Sequence, residues 1–196
     1  SGDQLMRIAG LACAALLLFA APADADRLDV RGDRLFLAVK VNGHPVEALL
    51  DSAAELSVAD ADFARELHLA DGQAVTAQGS GGQQDAQIVP GVLIQAAGVT
   101  LRDTPIGVTD LGEVGQRLTG RTLDFILGHD FFSAARLKID IRGGTIERLD
   151  PGDTATGIEL ALTDHHGISA IPALVGNKPV QADFDLGNGT GILVSA

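Results

Sequence analysis

The chain reads as a mainly β protein built from a repeated unit, and two observations predict this. First, Val41-Asn42-Gly43-His44-Pro45-Val46-Glu47-Ala48-Leu49-Leu50-Asp51 aligns without gaps, at an offset of 134 residues, on Val175-Gly176-Asn177-Lys178-Pro179-Val180-Gln181-Ala182-Asp183-Phe184-Asp185. Val41/Val175, Pro45/Pro179, Val46/Val180, Ala48/Ala182 and Asp51/Asp185 are identical. Second, most apolar residues fall in short alternating runs punctuated by glycine, the pattern of half-buried strands joined by tight turns.

The elements follow in order. Leu28 to Val41 alternates, with Leu35, Leu37 and Val39 on one face and Phe36 and Ala38 on the other. Asn42-Gly43 between two apolar runs predicts a hairpin, and Val46 to Leu50 predicts the strand that delivers Asp51. Leu56-Ser57-Val58 reads as extended. Asp60 caps a short helix over Ala61 to Leu67, with Phe63 and Leu67 on one face. Gln78-Gly79-Ser80-Gly81-Gly82-Gln83-Gln84 is a mobile loop or hairpin tip. Ile88 to Val99 and the run around Val108 read as strands, and Leu111 to Thr122 as a polar, turn-rich connection. Phe125-Ile126-Leu127 is a buried strand stopped by Gly128, followed by a short helix from His129 to Ala135. A hairpin then pairs Leu137 to Ile141 with Thr145 to Leu149. Residues 151–157 read as a linker, and a second β unit begins near Ile158.

Bulk properties narrow the functional classes. With 196 residues, 46% hydrophobic content, 24 glycines and no Trp or Tyr, the chain is a globular sequence with an aliphatic core. A net charge of −12 argues against nucleic acid or an anionic membrane surface as partner. Residues 6–25 read as a signal peptide: Met6-Arg7 is a short basic start, and Ile8 to Ala21 is an apolar run too short to span a bilayer comfortably. Ala21-Pro22-Ala23 and Ala23-Asp24-Ala25 offer small-x-small sites. Cleavage is expected after Ala25, with Ala23 as the alternative. The expected localisation is therefore export, periplasmic or secreted, with no membrane attachment afterwards. Cleavage removes Cys13, the single cysteine, and with it any disulfide, thiolate nucleophile or cysteine metal ligand. Gly10, three residues earlier, is a poor match to a lipobox.

The chemistry-bearing residues are the two aspartates. Each ends a repeated strand and is followed by small residues, so a two-lobed fold could bring them face to face. An aspartate after a strand is also a common turn residue; the repeat is what raises Asp51 and Asp185 above that reading. Ser52 lacks the surroundings of a nucleophile elbow. Asp130 reads as a helix-start residue and Asp140 as an exposed strand residue. His165 and His166 point to opposite faces of a strand, so no metal site is expected, nor any cofactor. Gly187-Asn188-Gly189-Thr190-Gly191 lacks both the spacing and the βαβ context of a dinucleotide loop.

The order of these motifs resembles the retropepsin-like and pepsin-like aspartic proteases, in particular bacterial exported aspartyl proteases with two related lobes. Three segments carry the resemblance. The strand into Asp51-Ser52-Ala53-Ala54 resembles the family's Asp-Thr/Ser-Gly-Ala/Ser loop. Gly79, Ser80, Gly81 and Gly82 stand where the family has its substrate-covering flap. Phe125-Ile126-Leu127-Gly128-His129-Asp130-Phe131-Phe132 resembles the strand and short helix that close each lobe. The resemblance implies a closed-barrel, acid-protease-like lobe with short helices over residues 26–150. It implies the beginning of a second, truncated lobe over 158–196, expected to be part of a longer protein. It further implies hydrolysis of extended peptides by water activated between Asp51 and Asp185, with Ser52, Ala53, Ala54 and Gly187 in the active-site loops. The substrate would be a peptide or an unfolded protein, and if the second lobe is incomplete the alternative is a homodimeric retropepsin-type protease that pairs Asp51 with Asp51 of a second chain.

Two residues depart from the family pattern. Ala53 stands where the family has glycine, and Leu186 where it has a loop hydroxyl. Ser52 can therefore supply one half of the family's reciprocal bonds between the loops, and Leu186 cannot supply the other. A catalytically inactive peptide-binding relative is the alternative these departures leave open.

Overall fold

The computed structural model describes residues 25–79, 82–165 and 167–191. The signal-peptide reading falls almost wholly outside them, as do Ser80, Gly81 and His166.

Ten strands and three short helices make up residues 26–148. The run from Leu28 to Val41 is two strands, β1 (Asp26–Arg31) and β2 (Arg34–Val41). They are separated by a turn at Gly32-Asp33 whose φ values are 56° and 58°, at the point where the apolar positions shift from even (Leu28, Val30) to odd (Leu35, Leu37, Val39). Asn42 and Gly43, also left-handed at φ 49° and 84°, join β2 to β3 (His44–Leu50) in the two-residue hairpin that Asn-Gly favours. The short strand β4 (Val58–Asp60) leads into α1 (Ala61–Glu66), capped as expected by Asp60, whose carboxylate accepts from the Asp62 amide at 2.8 Å. A long hairpin follows, β5 (Gln73–Gly79) with β6 (Gly82–Ala96), and then β7 (Val99–Thr109).

The stretch expected to be turn-rich holds a helix, α2 (Gly112–Thr119). Its two glycines argue against helix, but packing decides otherwise. A side chain at Gly115 would stand 2.7 Å from the Arg121 carbonyl and 2.9 Å from the Leu123 amide, so this turn is seated too closely for any other residue. The lobe finishes with β8 (Phe125–Leu127), α3 (His129–Ala134), β9 (Leu137–Asp140) and β10 (Thr145–Arg148).

The strand order is β5-β6-β7-β4-β8-β3-β2-β1-β10-β9, and an extra β2–β6 pairing joins the ends of the central run into a ring. Asn42 fastens that closure: its amide donates to the Leu93 carbonyl at 2.8 Å, and its side chain accepts from the Leu93 amide at 2.9 Å. Inside lie Leu37, Val39, Val41, Leu50, Ile94, Ile106, Phe125, Leu127 and Phe131, all at 3% exposure or less. Phe36 turns to a smaller cluster with Leu49, Leu111, Leu123 and Ile126. The alternation along β2 thus feeds two separate apolar clusters.

The second unit is a three-stranded antiparallel sheet of β11 (Thr163–His165), β12 (Ile168–Val175) and β13 (Lys178–Asp183). At the offset of 134, β12 coincides end for end with β2. The second β unit, expected to begin near Ile158, has its first strand at Thr163; Ile158, Leu160 and Leu162 lie outside any strand and are 91%, 50% and 63% exposed.

Candidate active site

Asp51 leaves β3 where that strand runs parallel to β8, with Leu50 paired to Leu127. The loop behind it is held at both ends. The Asp51 amide donates to the Leu127 carbonyl at 3.0 Å, and the His129 amide donates to the Ala54 carbonyl at 2.7 Å. One carboxylate oxygen of Asp51 accepts from the amides of Ala53 and Ala54 at 3.0 and 3.1 Å, which fixes the carboxyl's orientation and leaves its other oxygen free of the loop.

A buried hydroxyl braces the far side. Ser57, fully buried, accepts from the Gly128 amide at 3.0 Å and donates to Asp130 Oδ1 at 2.8 Å. A side chain at Gly128 would come within 2.7 Å of the Ser57 amide, so the tight approach of the two chains depends on that glycine. Asp130 is therefore more than the helix-start residue its position suggests. Burial raises its pKa above the ordinary carboxylate value, and its Ser57 bond couples α3 to the Asp51 loop. Asp140 is exposed as expected, and its carboxylate accepts from the Gly143 amide in the β9–β10 turn at 2.7 Å.

The second aspartate meets the first. The Asp51 and Asp185 side chains are within hydrogen-bonding reach. Three further contacts join their loops. Ser52 Oγ, buried, donates to the Phe184 carbonyl at 2.7 Å and accepts from the Leu186 amide at 3.0 Å. Gly187 lies directly on Asp51: a methyl group there would stand 2.6 Å from Cγ and 2.8 and 2.9 Å from the two carboxylate oxygens. Leu186, where the hydroxyl is missing, packs against the first unit's main core. One serine thus makes two hydrogen bonds between the loops, and an apolar contact occupies the reciprocal place.

Ala53 is less costly than the family comparison implies. Its φ is not in the left-handed region, and its amide donates to Asp51, so the conformation here does not require glycine.

The electrostatics of the pair are unequal. Asp51 is half-buried, whereas Asp185 is exposed and accepts from the Gly187 amide at 2.7 Å. The Asp51 pKa is raised from 3.8 to about 6, first by desolvation and next by the neighbouring Asp185 charge, against the lowering effect of the Ala53 and Ala54 amides. Both causes favour the protonated form of Asp51.

The other expected residues are placed as follows. Gly79 and Gly82 form the last pair of the β5–β6 hairpin. Between them, Ser80 and Gly81 lie outside the described residues. His165 Nδ1 is 2.8 Å from Asp183 Oδ1, and among the described residues no group of three His, Cys, Asp or Glu is placed to hold a metal. Sequence reasoning takes Ser57 only as part of an extended segment and Asp130 only as a helix start, and it passes over Arg34. The only trace of Arg34 is a charge opening the apolar strand β2, where the repeat has Ile168.

Comparison with known proteins gives two findings. Residues 37–131 match the family model described as aspartyl protease; Asp51 lies inside the match and Asp185 beyond it. Among solved structures, EIAV protease complexed with the inhibitor HBY-793 is similar, at 25% sequence identity over 51% of this chain and 86% of that chain, with a TM-score of 0.41. No curated protein matches the chain.

Proposed function

We propose that this chain, which belongs to the aspartyl protease family over residues 37–131, is an aspartic endopeptidase whose catalytic pair is Asp51 and Asp185. The observation that carries this reading is the meeting of the two carboxyl groups at the junction of the repeated units, with Ser52 and Gly187 holding the loops in contact.

The chemistry follows from a proton shared by the two carboxyls. Below the raised pKa of Asp51, one carboxyl is protonated and one ionised. The ionised group takes a proton from a water held between them, that water attacks the peptide carbonyl, and the protonated group stabilises the developing oxyanion. The amides of Ala53 and Ala54 orient Asp51 without neutralising it. An extended peptide would lie across the pair and bond through its backbone as an added strand, covered by the β5–β6 hairpin. Unfolded protein is the substrate class that presents such a strand.

The reading includes export, supported by the basic start, apolar run and small-x-small sites of residues 6–25. N-terminal sequencing of protein recovered from outside the cytoplasm should begin at Asp26, or at Asp24 if the earlier site is used. An intact Met6 would remove this part of the proposal.

The decisive experiment is digestion of denatured casein from pH 3 to 7, with and without pepstatin. Pepstatin-sensitive cleavage that disappears in Asp51→Asn is the expected result. A folded sample that cleaves nothing at any pH would overturn the peptidase reading and favour peptide binding without catalysis.

A further inference from the structure

Arg34 opens β2 and is half-buried. Its side chain lies against the loop that carries Asp185. A methyl group on Gly189 would stand 3.0 Å from Arg34 Cζ and 3.1 Å from its Cγ. Gly189 is two residues beyond Gly187, which itself rests on the Asp51 carboxyl. The guanidinium is therefore one short loop away from the carboxylate pair.

Its bonding is meagre for a half-buried cation. Nη1 donates a long bond of 3.4 Å to the Gly32 carbonyl, and Nε is buried without a partner. Among the described residues no carboxylate pairs with it. A guanidinium carries five N–H donors in a planar fork that matches a carboxylate, so most of its bonding capacity is unspent.

The repeat explains the vacancy. At the offset of 134, Arg34 corresponds to Ile168 and Glu55 to Gly189. Two crosswise contacts relate the units: Arg34 against Gly189, and Glu55 beside Gly167, where an added methyl would lie 3.9 Å from the glutamate Cγ. The residue facing Arg34 thus occupies the place that holds a glutamate in the first copy. Glycine there removes both the charge and the side-chain volume.

We propose that Arg34 is a specificity-determining residue that binds a side-chain carboxylate of the substrate, an Asp or Glu of the peptide held on the Asp185-loop side of the pair. This rests on the peptidase reading above and names the substrate feature that reading leaves open. Elsewhere the protein's net charge of −12 disfavours acidic peptides, so the preference is confined to one position along the bound strand.

Binding tests this separately from catalysis. A casein-derived peptide, acetylated and amidated so that its ends carry no charge, is scanned with Glu against Gln at each position. Fluorescence anisotropy then reads its affinity for the Asp51→Asn chain. At one position Glu should bind roughly tenfold more tightly than Gln, the size expected of a hydrogen-bonded charge. Adding Arg34→Gln should abolish that preference, and Arg34→Lys, which keeps the charge without the fork, should retain part of it. Equal affinities at every position, binding of neither peptide, or a preference that survives Arg34→Gln each overturn the proposal. Casein left whole by the unsubstituted chain would instead count against the peptidase reading, whatever the peptides show.

Discussion

Val41 and Val175 are the same residue at the same place in two copies of one hairpin, yet the first is fully buried and the second is 44% exposed. The hairpins agree in register and in the length of their first strands: Val41 pairs with His44, and Val175 with Lys178. They differ in what surrounds them. β3 has β8 on its outer edge, and β2 meets β6 as well as β1. Among the described residues β13 pairs only with β12, and Leu174, Val180 and Phe184 are exposed on or just beyond the sheet. Local sequence is therefore enough to repeat a hairpin and place an aspartate at its end. Burial comes from the company the hairpin keeps.

The largest test of this comparison concerns the aspartates. If the two copies contribute jointly, Asp51→Asn and Asp185→Asn should each lower kcat by about 10³-fold or more, as loss of a group acting within a catalytic unit does. Single-turnover cleavage of a casein peptide measures both. An active Asp185→Asn chain would break the pairing and point to Asp51 acting with a second chain.

Next in size is Gly187→Ala. The added methyl overlaps the Asp51 carboxyl, and a displacement of about 1 Å costs on the order of 10²-fold in kcat. Circular dichroism should meanwhile report an unchanged strand content. Full activity would mean that the loops move apart freely.

Ser52→Ala removes two hydrogen bonds between the loops and should lower stability by about 1–3 kcal/mol in urea denaturation. A neutral result would assign the docking to Leu186 and its apolar contact. The valines give the most direct comparison: Val41→Ala should cost about 2 kcal/mol, and Val175→Ala less than about 0.5 kcal/mol. Equal costs would show that the second hairpin is covered in solution.

The pH dependence has a definite sign. Asp51 has a folded pKa above its unfolded value, so the native state binds the extra proton. Relative to a non-titrating residue, stability falls as pH rises from about 4 through about 6. Asp51→Asn should therefore gain stability over the unsubstituted chain across that interval, with a constant difference above it. Melting temperatures at pH 4 and 7 decide this, and a difference independent of pH would mean that Asp51 titrates normally. Cleavage should decline through the same interval as the shared proton leaves.

Much of this was legible in the sequence because it is local. The Asn42-Gly43 turn, the Asp60 cap, the strand stopped by Gly128 and the β9–β10 hairpin each follow from residues adjacent in the chain. The repeat added the pairing of Asp51 with Asp185, which the structure brings together. What stayed hidden depends on contacts between distant residues. The glycines of α2 read as helix breakers until Gly115 is seen seated on Arg121 and Leu123. Asp130 looks like a helix start until Ser57 is found beside it. Arg34 looks like a surface charge until Gly189 arrives from 155 positions away in the sequence.

The contact of Gly187 with Asp51 gives the protein an internal gauge. Burial is the largest cause of the raised Asp51 pKa, and Asp185 the next; Gly187 and Asp185 both come from the second unit. If that unit drew back, water would reach the carboxyl and the neighbouring charge would recede, so the pKa would slide from about 6 toward 3.8. The carboxyl carbon of Asp51, followed by NMR as pH is varied, therefore reports how firmly the two halves are joined, in a chain whose strands are otherwise all still in place.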